Sequence, residues 1–309
     1  MTKTKKDGYW LNKKVAVTGA GGFLGSHFVT ELESLGAEVS SFSREKVDLL
    51  SSEKTTIALS NIDVIVNCAA IDGNAEFKKN HAAEILDANM RISSNVLNAA
   101  KNNQIKEVVL ISSSEIYSGF APNPVKETDD YRTFGGHTES GYILSKRYSE
   151  ILATLYQEQY GFNVYLPRPS NIFGPGDHFG EQSTRVIPSF ISKIVTKMPI
   201  EIWGDGSQVK QFIYVKNVVD AVLSTVENKN NGVINISTNE YISILELAKK
   251  ISSLLDIEAD IRLDNTKSIG SKSRILDTTK MYQLTHTNPM SLEEGLVETI
   301  KWYKNKFYK

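Results

Sequence analysis

The chain has 309 residues, 40% of them hydrophobic, which is enough to bury a full core in one large or two unequal domains. Its 35 basic and 36 acidic side chains nearly cancel, so no net field would attract nucleic acid or an anionic membrane. The single cysteine, Cys68, excludes an internal disulfide and a cysteine-based zinc site, and it favours the reducing cytoplasm as the protein's location.

Short apolar stretches rich in Val and Ile alternate with longer segments of helical periodicity. The predicted strands cover residues 14–18, 38–42, 63–67, 107–112 and 163–167. The clearest predicted helices cover residues 23–35, 82–103 and 141–160. Parallel strands need such helical crossovers. The alternation therefore predicts an α/β fold with a Rossmann-type, doubly wound parallel sheet.

After Pro167 glycines and prolines separate shorter segments, which indicates a smaller C-terminal lobe partly interleaved with the first domain. We assign 1–172 to the first domain, together with roughly 211–239, and 173–210 and 240–309 to the second lobe. No stretch reaches the roughly 18 uncharged apolar residues that a membrane helix needs. A ligand crevice is expected beyond the carboxyl ends of the strands.

A glycine-rich loop joins the first predicted strand to the first predicted helix. Gly19, Gly22 and Gly25 have the spacing G-x-x-G-x-x-G, with Phe23 and Leu24 inside the motif. Glycine permits a tight turn and a close approach of the backbone to a pyrophosphate, and a helix N-terminus favours negative charge. In this position the motif predicts a dinucleotide site in the first domain.

The second predicted strand indicates which dinucleotide would bind. It ends without the acid that would hold the ribose hydroxyls of NAD, whereas Ser43 and Arg44 could hold a 2′-phosphate. NADP(H) is therefore favoured over NAD(H), although Arg44 could also be an ordinary solvated arginine. We expect Asp48 on the adenine side and Ala69 beside the ribose. Cys68 is predicted to be a packing residue, because no charged residue flanks it.

Two segments carry candidate catalytic side chains. Tyr142 and Lys146 are four residues apart on one predicted helix, so the ammonium can lie near the phenol and favour its ionised form. Such a tyrosine can relay a proton as hydride moves. Ser113 and Ser114 belong to a serine run at the end of a strand, where hydroxyls can orient a substrate oxygen. The histidines lack metal-ligand spacing, so no metal site is predicted.

These motifs together resemble the NAD-dependent epimerase/dehydratase family, which is part of the extended short-chain dehydrogenases/reductases. The resemblance spans about residues 13–303 and is carried by residues 18–25, Ser113 with Tyr142 and Lys146, and residues 168–175, 204–208 and 212–215. It implies a nucleotide-sugar enzyme of polysaccharide precursor biosynthesis. It also implies a homodimer, formed through a four-helix interface from segments 82–103 and 141–160.

The resemblance implies roles for individual residues. Ser113 and Tyr142 would hydrogen-bond the sugar oxygen that is oxidised or reduced, Lys146 would bind the nicotinamide ribose, and Asn89 would border the cofactor. The residues implied for the nucleotide diphosphate are Asn171, Lys210 and Arg274.

Within the family, three segments are most similar to the GDP-L-fucose synthases, NADPH-dependent epimerase-reductases of 4-keto sugars. They are residues 82–90, the short acid-free loop after the second strand, and residues 274–277 with 291–296. Glu115 and Arg185 stand where those enzymes have a proton-exchanging cysteine and histidine. One hypothesis is therefore an NADP(H)-dependent 4-keto reductase, with or without epimerisation.

A second hypothesis is a cofactor-retaining epimerase, dehydratase or decarboxylase, in which Glu115 acts as the base and Arg185 stabilises an enolate. Glu115 could instead only pair with a nearby cation. A remote third hypothesis is a non-catalytic dinucleotide sensor.

Overall fold

The computed structural model describes residues 8–117, 119, 121–132, 140–180, 183–267 and 274–307. The strands are β1 Lys14–Thr18, β2 Glu38–Phe42, β3 Val64–Asn67, β4 Glu107–Leu110, β5 Asn163–Pro169, β6 Asn171–Phe173, β7 Ile200–Trp203, β8 Val209–Lys210, β9 Phe212–Tyr214, β10 Gly232–Ile236, β11 Ile242–Ser243 and β12 Ile261–Asp264. The helices are α1 Phe23–Ser34, α2 Ser52–Ala58, α3 Ala75–Asn80, α4 Ala82–Asn102, α5 Gly141–Tyr160, α6 Val186–Val195, α7 Val215–Glu227, α8 Ile244–Leu255, α9 Thr279–Thr285 and α10 Leu292–Phe307.

The central sheet has the strand order β10-β5-β4-β3-β1-β2. The neighbouring pairs from β2 to β5 are parallel, with Lys14 opposite Glu38 and Val64 opposite Glu107. Every residue of β3 and β4 is buried, as expected where helices cover both faces of a parallel sheet. From β1 the chain continues to β2 at one edge of the sheet, whereas from β3 it continues in the opposite direction through β4 to β5. This reversal between β1 and β3 is the doubly wound arrangement. The predicted α/β fold class is confirmed.

The bounds of the main elements follow the prediction closely, and the differences have local causes. The strand β3 begins at Val64 rather than at residue 63, where the Asp63 carboxylate accepts a hydrogen bond from the Lys14 backbone N–H at 2.9 Å. The strand β4 ends at Leu110 rather than at residue 112, because a 3₁₀ turn over Ser114–Ile116 follows closely. Serine hydroxyls favour such turns over a continued ladder.

The chain forms two compact units. The first comprises residues 1–116, 137–168 and 219–234. Its core includes Ala16, Ile65, Leu97 and Val108, all with no exposed surface. These side chains come from β1, β3, α4 and β4, so the same packing that stabilises the sheet also fixes α4 against it.

The second unit comprises residues 117–136, 169–218 and 235–309. It contains three small two-stranded sheets, namely β6 with β9 in parallel, β7 with β12 in parallel, and β8 with β11 antiparallel. Its core is built from the apolar faces of α6, α8 and α10, with Ile191, Leu247 and Leu296 fully buried. In the part of the chain that the structure describes, no helix is long and apolar enough to cross a membrane.

Candidate active site

The glycine loop packs backbone against backbone. Gly19 has φ +69°, and a Cβ atom there would lie 2.7 Å from the backbone nitrogen of Ala69, which follows β3. A Cβ atom on Gly25 would lie 2.2 Å from the carbonyl oxygen of Gly19. Both distances are too short for any side chain, so these two glycines allow the loop, the helix α1 and the end of β3 to meet. This close approach is the one that the glycine motif predicts.

The N-terminus of α1 fits the pyrophosphate of a dinucleotide. Gly22 is the exposed N-cap residue and has no side chain that could cap the helix. The first helical turn carries no acidic side chain. The backbone N–H groups and the positive end of the helix dipole are therefore open to an anion. Of the other two loop residues, Phe23 is buried and Leu24 is half-buried.

The end of β2 lies beside this loop. The backbone N–H of Ala20 donates to the carbonyl of Phe42 at 3.1 Å, and a Cβ atom on Gly21 would lie 3.5 Å from the Cβ of Ser43. The sequence-predicted Ser43 is therefore adjacent to the glycine loop, and Arg44 follows it as an exposed side chain.

A second cation is present at the same strand end and was missed by the sequence reasoning. The ammonium of Lys46 donates to the carbonyl oxygen of Ser41 and to its hydroxyl, both at 3.3 Å. Asp48, which we predicted on the adenine side, is exposed, and its carboxylate accepts a hydrogen bond from the Leu50 backbone at 3.0 Å. In the sequence, the spacing Arg44-x-Lys46 was the signal that could have indicated Lys46 as a second cation.

The predicted pair Tyr142 and Lys146 lies on the first turns of α5. The Lys146 ammonium is 5.6 Å from the centroid of the Tyr142 ring, and it donates to the carbonyl oxygen of Ile111 at 2.6 Å. Burial lowers the pKa of Lys146 below its usual value, and the charge of Asp72 offsets part of this effect. The structure thus brings the predicted cation and phenol together at the carboxyl end of β4.

Helix α4 holds this part of α5. The buried side chain of Asn89 accepts a hydrogen bond from the Ile71 backbone N–H at 2.7 Å and donates to the Ile71 carbonyl at 2.9 Å. It also donates to the hydroxyl of Ser145 at 3.3 Å, and Ser145 donates to the carbonyl of Tyr142 at 2.7 Å. Asn89 therefore ties the segment after β3 to the helix that carries the tyrosine.

The serine run divides into buried and accessible residues. Ser112 is buried and donates to the Glu150 carboxylate at 2.5 Å, and Glu150 also pairs with the buried Arg168 at 2.6 Å. Ser113 is half-buried, and its hydroxyl accepts a hydrogen bond from the Glu115 backbone N–H at 3.1 Å. Ser114 begins the 3₁₀ turn and is half-buried. Ser112 thus belongs to a buried polar network, whereas Ser113 remains accessible to a ligand.

Glu115 is engaged by a lysine that the sequence reasoning did not identify. The ammonium of Lys78, on α3, lies 2.9 Å from the Asp72 carboxylate and 3.3 Å from that of Glu115. It also lies 4.2 Å from the centroid of the Tyr142 ring. Among the alternatives for Glu115, pairing with a nearby cation is therefore the arrangement present in the structure.

Two of the predicted nucleotide-binding residues lie beside Gln211 in the second unit, whereas the guanidinium of Arg274 donates to the carbonyl oxygen of Tyr117 at 3.2 Å. The amide of Asn171 donates to the Gln211 carbonyl at 2.8 Å, and Lys210 is the preceding residue at the end of β8. The buried side chain of Gln211 accepts a hydrogen bond from the Leu276 backbone at 2.7 Å, two residues after Arg274. Sequence reasoning missed Gln211. Its only signal in the sequence was the position of an amide side chain directly before an apolar strand.

The structure also shows the ion pair of Arg185 and the burial of Cys68. Arg185 is the N-cap of α6, and its guanidinium lies 3.3 Å from the carboxylate of the buried Asp177. Cys68 is half-buried, and burial raises the pKa of its thiol to about 12, although Lys146 acts in the opposite direction. The thiol is therefore protonated at neutral pH, as expected of a packing residue. The described ranges contain no cluster of three or more side chains suited to a metal ion.

Comparison with known proteins places this arrangement in a family. The model of the NAD dependent epimerase/dehydratase family matches residues 15–237. A dTDP-4-dehydro-6-deoxy-D-allose reductase from a Streptomyces species is 41% identical, covering 96% of this chain and 97% of the relative. The GDP-L-fucose synthase of Escherichia coli K12 is 27% identical, covering 94% and 96% of the two chains.

A solved structure agrees with these relatives. The UDP-N-acetylglucosamine 4-epimerase from Methanobrevibacter ruminantium M1, in complex with UDP-N-acetylmuramic acid, has a TM-score of 0.83 and 30% identity, covering 96% of this chain and all of that one. The stretch matched by the family model, residues 15–237, contains the glycine loop and the Tyr142/Lys146 pair. The chain belongs to the NAD dependent epimerase/dehydratase family.

Proposed function

We propose that the protein is an NADPH-dependent reductase of a 4-keto sugar bound to a nucleotide. The observation that carries this proposal is the accessible Ser113 in the same unit as the Tyr142/Lys146 pair and the glycine loop, in a chain 41% identical to dTDP-4-dehydro-6-deoxy-D-allose reductases over nearly its whole length. The substrate class favoured by these relatives is a dTDP-linked 4-keto-6-deoxy sugar.

The chemistry follows from the side chains. The bound dinucleotide would supply a hydride to the sugar ketone. Tyr142 donates its phenolic proton to the carbonyl oxygen as the alcohol forms, and Ser113 hydrogen-bonds the same oxygen. Lys146 carries positive charge close to the phenolate that remains and would also hold the nicotinamide ribose. The glycine loop and the N-terminus of α1 would hold the pyrophosphate.

NADPH is favoured over NADH because of the charges after β2. Arg44 and Lys46 are both exposed cations beside the glycine loop, and Ser43 adds a hydroxyl donor. A 2′-phosphate carries the charge and the acceptor oxygens that such a group binds. Asp48 and Ala69 would complete the adenosine side of this site.

The nucleotide diphosphate would bind in the second unit. Asn171 and Lys210 adjoin Gln211, and Arg274 is two residues before Leu276, the backbone partner of Gln211. Together they combine one amide with two cations, a donor set suited to phosphate oxygens. Ser114 and Arg185 remain candidates for contacts with the sugar. We further propose a cytoplasmic homodimer, in which α4 and α5 of two copies form a four-helix interface.

A cofactor-retaining epimerase or dehydratase is the second candidate function. The full-length likeness to a UDP-N-acetylglucosamine 4-epimerase supports it, and so does the carboxylate of Glu115 near Tyr142. However, that carboxylate already accepts a hydrogen bond from Lys78, so it would have to leave this ion pair before it could take a proton from the sugar.

The direct test is NADPH oxidation by the purified protein with a panel of dTDP-linked and GDP-linked 4-keto-6-deoxy sugars, followed at the absorbance of the reduced nicotinamide. We expect consumption of NADPH with at least one substrate. The Tyr142→Phe variant should bind NADPH normally but lose about a hundredfold or more in kcat. Tightly bound NAD released on denaturation, without NADPH consumption, would instead support the cofactor-retaining function.

A further inference from the structure

Tyr142 has a second cation against its ring besides Lys146. The ammonium of Lys78 is 4.2 Å from the ring centroid, closer than the 5.6 Å of Lys146. Lys78 comes from α3, an element separate from the helix that carries the tyrosine. Electrostatic attraction between an ammonium and an aromatic face is favourable at this distance. The proton-transfer scheme above does not use this lysine.

The position of Lys78 is fixed by the segments around it. The side chain of Asn74 caps α3 by accepting a hydrogen bond from the Phe77 backbone at 2.7 Å. The Lys78 side chain is only 17% exposed, and two carboxylates hold its ammonium, Asp72 after β3 and Glu115 in the 3₁₀ turn. A mostly buried ammonium without such partners would be strongly disfavoured.

The charge state of Lys78 follows from these contacts. Burial acts to lower the pKa of Lys78, but Glu115 and Asp72 outweigh it and the pKa is raised. Lys78 is therefore positively charged at neutral pH. The charged groups of this cluster are two ammoniums, Lys78 and Lys146, and two carboxylates, Asp72 and Glu115; behind Lys146 lie the neutral thiol of Cys68 and the paired carboxylate of Glu150.

We propose that Lys78 is a positioning residue of the Tyr142 proton-transfer centre, held against the ring by Asp72 and Glu115, and that it stabilises the phenolate. Its role in turnover rests on the function proposed above. In that reaction the O–H bond of Tyr142 breaks and its proton joins the oxygen of the ketone whose carbon receives hydride from NADPH, and a solvent proton later restores the phenol. Lys78 and Lys146 together compensate the transient negative charge.

The proposal gives Glu115 a different task from that of a base. Glu115 replaces the cysteine of fucose synthases in the sequence comparison above, and in this structure its carboxylate orients Lys78. Loss of Lys78 would leave two carboxylates in this cluster with Lys146 as the one remaining ammonium named above, and the excess negative charge raises the pKa of a neighbouring acid. Loss of the Glu115 charge would act in the opposite direction.

The test is a titration of Tyr142 in the free, full-length protein labelled with [ζ-¹³C]tyrosine, in which the Tyr142→Phe variant identifies the resonance. We expect Lys78→Met to raise the titration midpoint of Tyr142 by about half a pH unit or more, given the effect of a charge at this range. Lys78→Arg should keep the midpoint near that of the wild type. Lys79→Met, which removes an exposed lysine one residue away, should leave it unchanged.

Glu115→Gln provides an independent variant on the more exposed side of the ion pair. Because Asp72 still holds the Lys78 ammonium at 2.9 Å, loss of the Glu115 charge should lower the same midpoint. An unchanged midpoint in both Lys78→Met and Glu115→Gln would overturn the proposal. The titration needs neither NADPH nor a sugar nucleotide, so absence of reductase activity would not obscure its result. In an active enzyme, reduction needs the protonated phenol, so kcat/KM falls as pH rises through the Tyr142 pKa; Lys78→Met should move this decline to higher pH.

Discussion

We expect Arg44 and Lys46 to determine the preference for NADPH over NADH. Because a charged hydrogen bond is worth about 1.5 kcal/mol or more, Arg44→Ala and Lys46→Ala should each raise the KM for NADPH about tenfold. The KM for NADH should stay nearly constant, since NADH lacks the 2′-phosphate. Steady-state kinetics with both cofactors would measure this, with the exposed Lys54→Ala as the control. Equal losses for NADH and NADPH would argue against a phosphate-binding role.

The individual residues of the site differ in how far sequence could predict them. Tyr142 and Lys146 lie on one helix, so their spacing alone predicted that they meet. Lys78, Asp72 and Glu115 come from three separate segments, and their meeting depends on how α3 and the 3₁₀ turn pack. No local pattern records such a contact, which is why the lysine beside Tyr142 was missed.

At the scale of elements, the beginning of α5 depends on a glycine. A Cβ atom on Gly141 would lie 1.8 Å from the carbonyl oxygen of Ala82, where α4 begins. Gly141→Ala should therefore force α5 away from α4, displace Tyr142, and cost about 1–3 kcal/mol of stability. Thermal unfolding and kcat should both decline.

Gly161→Ala is the matched control at the other end of α5. A Cβ atom there has open space, but φ is +70°, so this variant should lose about 1–2 kcal/mol through backbone strain alone. Its kcat should remain that of the wild type. A Gly141→Ala enzyme with full kcat would contradict the account of how α4 positions the tyrosine.

The long amphipathic helices and the buried parallel strands were predictable, because their periodicity extends over several turns or strand residues. The short helices α2 and α3 were not predicted. Each is stabilised by a side-chain cap, from Ser51 and Asn74 respectively, and each is too short to show a helical period. The small sheets of the second unit were not predicted from the sequence either, since β8 and β11 contain only two residues each.

At the scale of the whole molecule, α5 presents an apolar stripe that suits a dimer interface. Leu144, Ile151 and Leu155 are 36%, 46% and 53% exposed and lie on one face of the helix. We expect the protein to have twice the chain mass in solution by light scattering. Leu155→Glu should produce a monomer, because it places an unpaired charge in the interface.

The control for this experiment is Ile57→Glu, which alters an apolar side chain on α2 that is 66% exposed and should leave the dimer intact. A wild-type protein that is monomeric at micromolar concentration would contradict the proposed four-helix interface. It would leave the account of the active site unaffected, since the contacts of Tyr142 with Lys78 and Lys146 lie within one unit of one chain.

The central claim is that the sugar ketone is reduced by external NADPH. Its most direct test is the mass of the product formed with NADPH that carries deuterium on the transferred position of the nicotinamide. We predict one deuterium in the sugar for each NADPH oxidised, bound to the carbon that was the ketone. A rearranged sugar without deuterium, formed while the NADPH concentration stays constant, would contradict the claim and identify an enzyme that returns its own hydride.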